Sequence, residues 1–354
     1  MRRTAVYKDP LFLAHDTGKG HAESAQRLHR IYRELERDEV AHHLLFPVFK
    51  KATKASIQLN HTPDLVREVA ATAAHPASYL DADTRTSADS YGAALLAAGA
   101  VIDGIQRLAL HKIDNAFCCV RPPGHHAERT QSMGFCLFNN VAIGAKWAIR
   151  HLGLERIMIV DWDLHHGNGT QNSFYRNAKV LYCSTHQYPL YPGSGALPES
   201  GEGRGLGYTV NIPLAGRAGD NEYARIFNEV YVPLARAYQP QLILVSCGFD
   251  MMANDPIGSM QVTPAGVAYM TRVLLELAEE VCDGKLLFTL EGGYDLDNMH
   301  HGVLAVLTEL HGAPLASDHP VYLQQKDIDR FRAASVESAS LTQAKHWVKN
   351  WWNI

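Results

Sequence analysis

Short apolar segments rich in β-branched or aromatic residues alternate along the chain with longer amphipathic segments. Several of the short segments are apolar at every position, which is typical of strands in a parallel sheet that is covered on both sides. The pattern predicts strands over residues 115–120, 156–161, 179–184, 207–212, 241–246 and 285–290. It predicts helices near residues 92–110, 137–152, 220–238, 264–282 and 298–311. This alternation indicates an α/β fold with a central parallel sheet and helices on both faces.

Two parts of the chain depart from the alternation. Residues 186–206 combine three prolines with several glycines, and we expect a long loop there, which in compact domains is often functional. Residues 320–354 contain three of the five tryptophans. We expect residues 1–319 to form one domain and residues 320–354 to be a helical extension packed on it, with a homo-oligomer contact as the alternative.

Composition narrows the class of protein but not its chemistry. The 354 residues include 33 Lys and Arg against 37 Asp and Glu, a net charge of -4, so there is no basic excess for direct nucleic-acid binding. The longest apolar run, Ala93 to Ile102, is about half the roughly 20 residues that cross a bilayer, and no signal-peptide apolar region follows the N-terminus. Six cysteines without Cys-x-x-Cys spacing are typical of a reducing compartment. We expect a cytoplasmic protein without a membrane partner.

Polar motifs follow four of the predicted strands. Strand 115–120 leads into a Pro-Pro-Gly turn and a histidine pair, and strand 156–161 leads into Asp-Trp-Asp-Leu-His-His. Strand 241–246 leads into Cys-Gly-Phe-Asp, and strand 285–290 leads into Glu-Gly-Gly-Tyr. In open parallel sheets the ligand crevice lies outside the carboxyl ends of the strands. The four motifs are therefore expected to converge on one site.

Two of these motifs offer metal ligands. Asp163 and His165 are two positions apart on an extended segment, so their side chains point the same way. Asp250, at another strand end, supplies a third ligand and leaves a fourth position open for water. A carboxylate and imidazole set with one open position is typical of a catalytic zinc site.

The other two motifs offer acid–base and hydrogen-bonding groups. His125 and His126 follow a rigid turn, and paired imidazoles beside a metal-activated water suggest a general base with an electrostatic or acid partner. A structural hydrogen-bonded pair is the alternative. Tyr294 follows two glycines, and its phenol is placed to donate a hydrogen bond to a developing oxyanion. A packing role for Tyr294 is an equal alternative.

The motifs, in their order along the chain, resemble the zinc-dependent histone deacetylase family, and its class II and bacterial branches more than class I. The resemblance extends from about Lys8 to His311. It rests on Arg121-Pro-Pro-Gly-His-His-Ala, Gly134-Phe-Cys-Leu-Phe-Asn-Asn, Asp161-Trp-Asp-Leu-His-His-Gly-Asn-Gly-Thr-Gln, Ser246-Cys-Gly-Phe-Asp and Leu290-Glu-Gly-Gly-Tyr. It implies a single arginase-like α/β domain that hydrolyses acyl-amide bonds.

The resemblance implies a role for each candidate residue. The residues similar to the family's zinc ligands are Asp163, His165 and Asp250. His126 resembles the general base, His125 its electrostatic partner, and Tyr294 the residue that polarises the amide carbonyl. Asp161 and Asn168 match the residues that stand behind the first and the second histidine.

Structural K⁺ sites and a substrate tunnel are implied as well. The residues that resemble a first potassium site are Asp161, Asp163, His165, Ser184 and Thr185. The family's second potassium site is built from backbone oxygens. The residues at its position are Phe174, Asn177, Val180 and Tyr208. Those that resemble the tunnel and its rim are Asp83, Gly134, Phe135, Tyr191, Ile257 and Gly293. Phe135 and Tyr191 resemble its aromatic walls, and Asp83 resembles the carboxylate that grips the substrate backbone.

Three positions depart from parts of the family. Asn168 stands where class I members have aspartate, as in class II, and a neutral partner raises the pKa of His126 less. The segment 21–27 lacks the prolines of the family's His-Pro-Glu pattern. Ile257 stands where the polyamine-selective eukaryotic member has glutamate, so that position resembles the lysine-directed enzymes.

The leading hypothesis is a Zn²⁺-dependent amide hydrolase that acts on acetyl-lysine in proteins or peptides. Deacetylation of small amines such as acetylpolyamines is the enzyme alternative. A catalytically silent acetyl-lysine binder is disfavoured because Tyr294 and the three zinc-ligand candidates are all present. A two-metal arginase-like hydrolase is disfavoured because residues 246–256 offer one well-placed aspartate rather than a second ligand set.

Overall fold

A computed structural model describes residues 1–36, 42–312, 319 and 321–354. Over these residues the strands are β1 (Thr4–Tyr7), β2 (Ser78–Tyr79), β3 (Arg85–Thr86), β4 (Asn115–Cys118), β5 (Ile157–Asp161), β6 (Val180–Gln187), β7 (Thr209–Leu214), β8 (Leu242–Cys247) and β9 (Leu286–Leu290). Seven of them form one sheet in the order β1-β4-β9-β8-β5-β6-β7, and every neighbouring pair in it is parallel. The remaining two, β2 and β3, form a small antiparallel pair.

Helices cover both faces of the sheet. In the described part of the chain they are α1 (Leu11–Ala14), α2 (Gln26–Leu35), α3 (Lys54–Ile57), α4 (Pro63–Ala71), α5 (Ser90–Ala109), α6 (Asn140–Leu152), α7 (Asn168–Phe174), α8 (Asp220–Ile226), α9 (Val232–Tyr238), α10 (Pro264–Cys282), α11 (Leu296–His311), α12 (Gln325–Arg332) and α13 (Ala339–Trp352). Helices α5 and α6 pack together, as do α10 and α11, and both pairs contact the central strands. The central strands are buried at every position, as a parallel sheet between two helical layers requires.

The α/β architecture predicted from the alternation is confirmed. All six predicted strands are present, and their ends differ from the prediction by at most three residues. Helix α6 begins later than predicted because Asn139 caps it, its side chain accepting the backbone N–H of Ala142 at 2.9 Å. Of the predicted loop 186–206, the first two residues complete β6, and Gly203–Gly205 form a 3₁₀ turn.

Strand β1 and the β2–β3 pair were missed by the sequence pattern. Strand β1 has four residues and lies at the sheet edge beside β4, so its formation depends on a partner more than one hundred residues away. The contact is reinforced by Arg3, whose Nη2 lies 2.6 Å from Asp114 Oδ1. Such a short strand has too few positions for a periodic signal.

The helical pattern predicted near residues 220–238 is confirmed, but the helix is not regular throughout. Helices α8 and α9 are separated by a π-helical turn, Phe227–Tyr231. Pro233 lies in the first turn of α9 and has no N–H to donate to a regular helical ladder. A π-turn accommodates such an interruption without ending the helix.

Helix α5 is, among the described residues, the one that is long and apolar enough to cross a membrane by length and composition. Within the protein, 61% of its most apolar 18-residue window is buried. It contacts α6, β4 and β9. This burial is typical of a core helix, whose apolar faces are covered by protein.

The C-terminal helices contact the sheet domain. Helix α12 packs on α8 and α13 packs on β7. The indole Nε1 of Trp352 donates to the carbonyl of Gly207 at 3.0 Å, and its ring lies edge-on to Tyr208 and Tyr238. The predicted boundary between residues 319 and 320 stays a prediction, because residue 320 and residues 313–318 lie outside the described part of the chain.

Candidate active site

The four strands that carry polar motifs are neighbours in the sheet. They are β4, β9, β8 and β5, in that order across its centre. Because all four run parallel, their carboxyl ends lie at the same edge, and the motifs that follow them meet there. The predicted convergence is therefore a direct consequence of strand order.

The predicted metal ligands form one compact group. Asp163, His165 and Asp250 each offer an atom within 4.8 Å of the other two, and all three residues are buried. His165 Nδ1 lies 3.1 Å from Asp250 Oδ2 and 3.3 Å from Asp163 Oδ1. Among the described residues no other group of three His, Cys, Asp or Glu is arranged this closely.

Backbone donors and two glycines hold the carboxylates in place. The N–H of Gly292 donates to Asp163 Oδ2 at 2.8 Å, and that of Leu164 donates to Asp250 Oδ1 at 3.0 Å. A Cβ atom on Gly248 would lie 2.1 Å from Asp163 Oδ2, and one on Gly292 would lie 2.4 Å from Asp250 Oδ2. Glycine is therefore required at both positions.

The group carries more negative charge than its protein partners balance. Burial and the neighbouring Asp163 raise the pKa of Asp250 to about 7. Burial lowers the pKa of His165, but its hydrogen bonds to the two carboxylates raise it to about 10 overall. Two buried carboxylates thus share one imidazole, an arrangement that a divalent cation would neutralise. The donor types suit Zn²⁺ and leave a fourth position open, so the residues present can hold the metal.

The histidine pair lies beside this group. The rings of His125 and His126 are 4.0 Å apart, and the ring of His126 is 5.8 Å from that of His165. His125 Nδ1 donates to Asp161 Oδ2 at 3.2 Å, and His126 Nδ1 donates to Asn168 Oδ1 at 2.8 Å. The structure therefore places Asp161 and Asn168 behind the first and the second histidine.

The two histidines have opposite electrostatic surroundings. Burial lowers the pKa of His125, but Asp163 and Asp161 raise it to about 10 overall. Burial and the neighbouring rings of His125 and His165 hold the pKa of His126 well below its usual range. At neutral pH the pair is therefore one imidazolium and one neutral imidazole, which suits an electrostatic group and a proton acceptor respectively.

Tyr294 is fixed by groups that the sequence analysis did not single out. Its backbone N–H donates to Asp255 Oδ2 at 2.7 Å, and Asp255 Oδ1 accepts from the N–H of Ile257 at 3.1 Å. The preceding Gly293 has φ +114°, a conformation that favours glycine. Asp255 thus links the loop after β8 to the loop after β9.

A buried cluster of charged side chains supports the loop after β9, which carries Tyr294. Arg27 donates to the carbonyls of Gly293 at 2.7 Å and Glu291 at 2.5 Å, and its guanidinium lies 5.1 Å from the ring centre of Tyr294. Arg27 Nη1 and Glu23 Oε1 are 2.9 Å apart, and Arg121 also pairs with Glu23. All three charged side chains are fully buried.

Glu291 holds the histidine turn. Its Oε2 accepts from the N–H groups of Gly124 at 2.7 Å and His125 at 3.1 Å, and its Oε1 accepts from Ser246 Oγ at 3.0 Å. Glu291 lies in the Glu-Gly-Gly-Tyr motif, where an acidic residue directly after an apolar strand was the available signal. Arg121 gave a similar signal, because it directly follows the predicted strand 115–120, whereas Glu23 and Asp255 gave none.

The three candidate ligands Asp163, His165 and Asp250 are called the metal group below. A cavity of about 210 Å³ reaches this group at His165. Its lining residues are Asp83, Pro123, His125, His126, Gly134, Phe135, Cys136, His165, Tyr191, Ile257, Gly292 and Tyr294. The histidines are buried, whereas Asp83 and Ile257 are half-buried and Tyr191 is exposed, so the cavity runs from the surface to the metal group. Of the predicted tunnel residues, Gly293 alone lies beside the lining rather than in it.

The tunnel walls are held in specific conformations. Phe135 has φ +66°, which is uncommon for an aromatic residue, and its N–H donates to Thr84 Oγ1 at 3.1 Å. The ring of His21 packs edge-on against it. The ring of Tyr191 lies edge-on to that of His126, with centres 5.0 Å apart. These contacts place an aromatic ring on either side of the cavity.

The residues of the predicted potassium sites occupy two places. Asp161 ends β5 and is aligned with Ser184 in the adjoining strand, next to Thr185 and beside the metal group. Phe174, Asn177, Val180 and Tyr208 lie where α7, β6 and β7 meet, with the carbonyl of Phe174 accepting from Asn177 and that of Tyr208 accepting from Tyr182. Both potassium assignments stay predictions.

Comparison with known proteins establishes the family. Residues 21–310 match the family model of the histone deacetylase domain. The chain belongs to the histone deacetylase family. It is accordingly a deacetylase, which is a hydrolase. Its fold is that of a solved histone deacetylase domain, the HD domain of HDA15. That structure is 36% identical, has a TM-score of 0.89, and the match covers 99% of this chain and 96% of the other.

Relatives of this histone deacetylase family member come from several lineages. A probable deacetylase of Archaeoglobus fulgidus is 38% identical over 310 residues, 86% of each chain. Histone deacetylase 15 of Arabidopsis thaliana is 39% identical over 90% of this chain, and histone deacetylase clr3 of Schizosaccharomyces pombe is 42% identical over 72%. The matches cover 58% and 37% of these two longer proteins.

The buried cluster of charged side chains makes a prediction for stability. Although burial alone would raise it, Arg121 and the other partners hold the pKa of Glu23 well below its usual range. A carboxyl whose pKa is depressed by folding stabilises above its unfolded pKa, and that contribution is lost as pH falls through the folded pKa. We expect Glu23→Gln to lower the free energy of unfolding by about 3–5 kcal/mol at pH 7, because two arginines lose their buried counter-charge. The difference should shrink below about pH 4.5.

Urea unfolding of both proteins between pH 7 and pH 3 measures this difference. The matched control is Glu202→Gln, which breaks an exposed pair with Arg176 and should change the free energy of unfolding by less than about 1 kcal/mol. A pH-independent difference for Glu23→Gln would contradict the assigned ionisation of Glu23.

Proposed function

We propose that the protein is a Zn²⁺-dependent enzyme that removes acetyl groups from acetyl-lysine side chains of proteins or peptides. The observation that carries this proposal is a cavity lined by His165, the histidine pair and Tyr294, with Asp163 and Asp250 grouped around His165. Its volume of about 210 Å³ is below the usual range of small-molecule pockets, which suits one unbranched side chain. Relatives named histone deacetylases support an acetylated protein substrate.

The roles of the surrounding residues follow from their protonation. Zn²⁺, held by the three ligands, would supply Lewis acidity that activates water and polarises the amide carbonyl. His126 is neutral and is the general base that takes a proton from the attacking water. The Tyr294 hydroxyl donates to the developing oxyanion. His125 remains charged between Asp161 and Asp163 and stabilises the negative transition state, and a histidine then protonates the leaving amine.

The mouth of the cavity favours acetyl-lysine over an acetylated polyamine. Phe135 and Tyr191 offer apolar contact to the aliphatic part of a lysine side chain. Ile257 offers no charge to a distant ammonium group, and Asp83, which also lines the cavity, would accept substrate backbone N–H groups. The K⁺ sites implied by the family resemblance and a cytoplasmic location remain part of the proposal, and six free buried cysteines support the latter.

The zinc assignment predicts that His165→Ala and Asp250→Ala lose bound metal and activity. Each substitution removes one of three protein ligands, so zinc per chain should fall in elemental analysis of the purified proteins. His311→Ala is the control, because this buried histidine contacts Arg2 at the opposite end of the sheet. Stoichiometric zinc at native affinity in either ligand variant would mean that the ligands are wrongly assigned.

The role of Tyr294 predicts that Tyr294→Phe keeps zinc but loses turnover. One donor to the oxyanion is removed while the ring is kept, and the loss of one such donor lowers rates by roughly 10²–10³. Steady-state assays on an acetyl-lysine peptide measure this effect. Tyr223→Phe, at a buried tyrosine that does not line the cavity, should stay near native. A near-native rate for Tyr294→Phe would remove Tyr294 from the mechanism.

Substrate choice is tested by assaying acetyl-lysine peptide and acetylputrescine side by side. We expect the native protein to prefer the peptide. Ile257→Glu should raise the acetylputrescine-to-peptide ratio of kcat/KM by about tenfold, since a partly exposed ion pair is worth on the order of 1 kcal/mol. Ile257→Gln adds a side chain of similar length without charge and should leave the ratio near native. A native preference for acetylputrescine that neither variant changes would overturn the lysine assignment.

A further inference from the structure

Behind the proposed general base, the side chains of His126, Asn168 and Glu128 are linked in series by hydrogen bonds. His126 Nδ1 lies 2.8 Å from Asn168 Oδ1, and Asn168 Nδ2 lies 2.7 Å from Glu128 Oε1. The same Glu128 oxygen accepts from Asn172 Nδ2 at 2.8 Å. Asn168 and Asn172 are one turn apart on α7, so two amides of one helix face hold a single carboxylate.

Two acceptors face the amide nitrogen of Asn168 and set the direction of these hydrogen bonds: Glu128 at 2.7 Å and, more weakly, the backbone carbonyl of His126 at 3.4 Å. Burial raises the pKa of Glu128, whereas its hydrogen bonds to Asn172 and Asn168 favour the ionised form. An ionised carboxylate only accepts, so the amide nitrogen of Asn168 must face it. The amide oxygen of Asn168 then faces His126, and an oxygen there requires His126 Nδ1 to carry the ring proton. The other ring nitrogen, Nε2, is left with its lone pair free.

The neighbouring histidine shows what a direct carboxylate does. Asp161 contacts His125 without an intervening group and favours the charged imidazolium. Glu128 is separated from His126 by the Asn168 amide, so its charge acts on the ring more weakly. A carboxylate one amide away can select a tautomer while the ring stays neutral, which is the state that a proton acceptor needs.

We propose that Glu128 is a positioning residue that fixes, through Asn168, the tautomer of His126 in which Nε2 is free to accept a proton. Its effect on turnover rests on the proposed function, whereas the tautomer is a property of the folded protein and is measured separately. Glu128 does not line the cavity, so it acts on His126 and not on substrate.

The first experiment measures the tautomer in the zinc-loaded full chain with ¹⁵N-labelled histidine. The His126 ring signals are assigned by their loss in His126→Ala. In the native protein we expect a protonated Nδ1 and an unprotonated Nε2. Glu128→Gln keeps the size of the side chain and removes its charge. It should move the tautomer ratio about tenfold toward the Nε2–H form.

The second experiment is a swap between positions 128 and 168, assayed on acetyl-lysine peptide. Glu128→Gln should lower kcat about tenfold with KM within twofold of native. Asn168→Asp should also lose at least tenfold in kcat, because two carboxylates would face each other across the 2.7 Å contact. In the double variant Glu128→Gln/Asn168→Asp, the new amide donates to the new carboxylate, so kcat should recover above Asn168→Asp alone. It should stay below native, because the carboxylate in direct contact raises the pKa of His126.

Zinc content and melting temperature of each variant separate positioning from loss of structure, and Glu202→Gln is the control for removal of an acidic side chain. Recovery in the double variant with unchanged zinc supports the proposal, because a merely structural role predicts that the two losses add. Native tautomer signals in Glu128→Gln overturn it, even if the protein proves not to be a deacetylase of acetyl-lysine. Additive losses in the swap overturn it as well.

Discussion

The burial of negative charge at one edge of the sheet is the constraint on which the rest of the structure depends. All six buried acidic side chains among the described residues lie there, and they are Glu23, Asp161, Asp163, Asp250, Asp255 and Glu291. An ionised carboxylate without partners is costly to bury, so each of them requires donors or a counter-charge. The loops that follow the central strands supply most of these partners, and Arg27 on α2 supplies another to Glu23. These contacts fix the conformations of the loops.

These carboxylates have different partners. The difference distinguishes the carboxylates that support the loops from those that form the candidate metal site. Glu23 is neutralised by two arginines, whereas Asp255 and Glu291 accept backbone N–H groups that hold Tyr294 and His125. Asp163 and Asp250 also accept backbone N–H groups and share the imidazole of His165, while the imidazole of His125 lies between Asp161 and Asp163, so three carboxylates face two imidazoles. The remaining negative charge therefore falls where three ligand atoms converge, and this is where a cation is best accommodated.

The same charges give adjacent histidines different tasks. His125 faces Asp161 and Asp163, and their carboxylates keep it protonated. His126 is as deeply buried, but its nearest partners are an amide and two other imidazoles, so it stays neutral.

The exposed end of the site is built differently. The loop that carries Tyr191 is anchored by hydrogen bonds from two buried histidines, His166 to Ser194 and His186 to the carbonyl of Gly195.

The sequence by itself determined the α/β class, six of the seven strands of the sheet and the residues that follow them, because parallel strands are continuous apolar runs and their carboxyl ends face one crevice. It also predicted the candidate ligand group, since Asp163 and His165 lie two positions apart on one segment, and the structure brings Asp250 beside them. Only the tertiary structure decided the edge strand β1 and the contacts of Glu23, Asp255 and Glu128. Each of these depends on which distant segment lies opposite, and local periodicity contains no information about that.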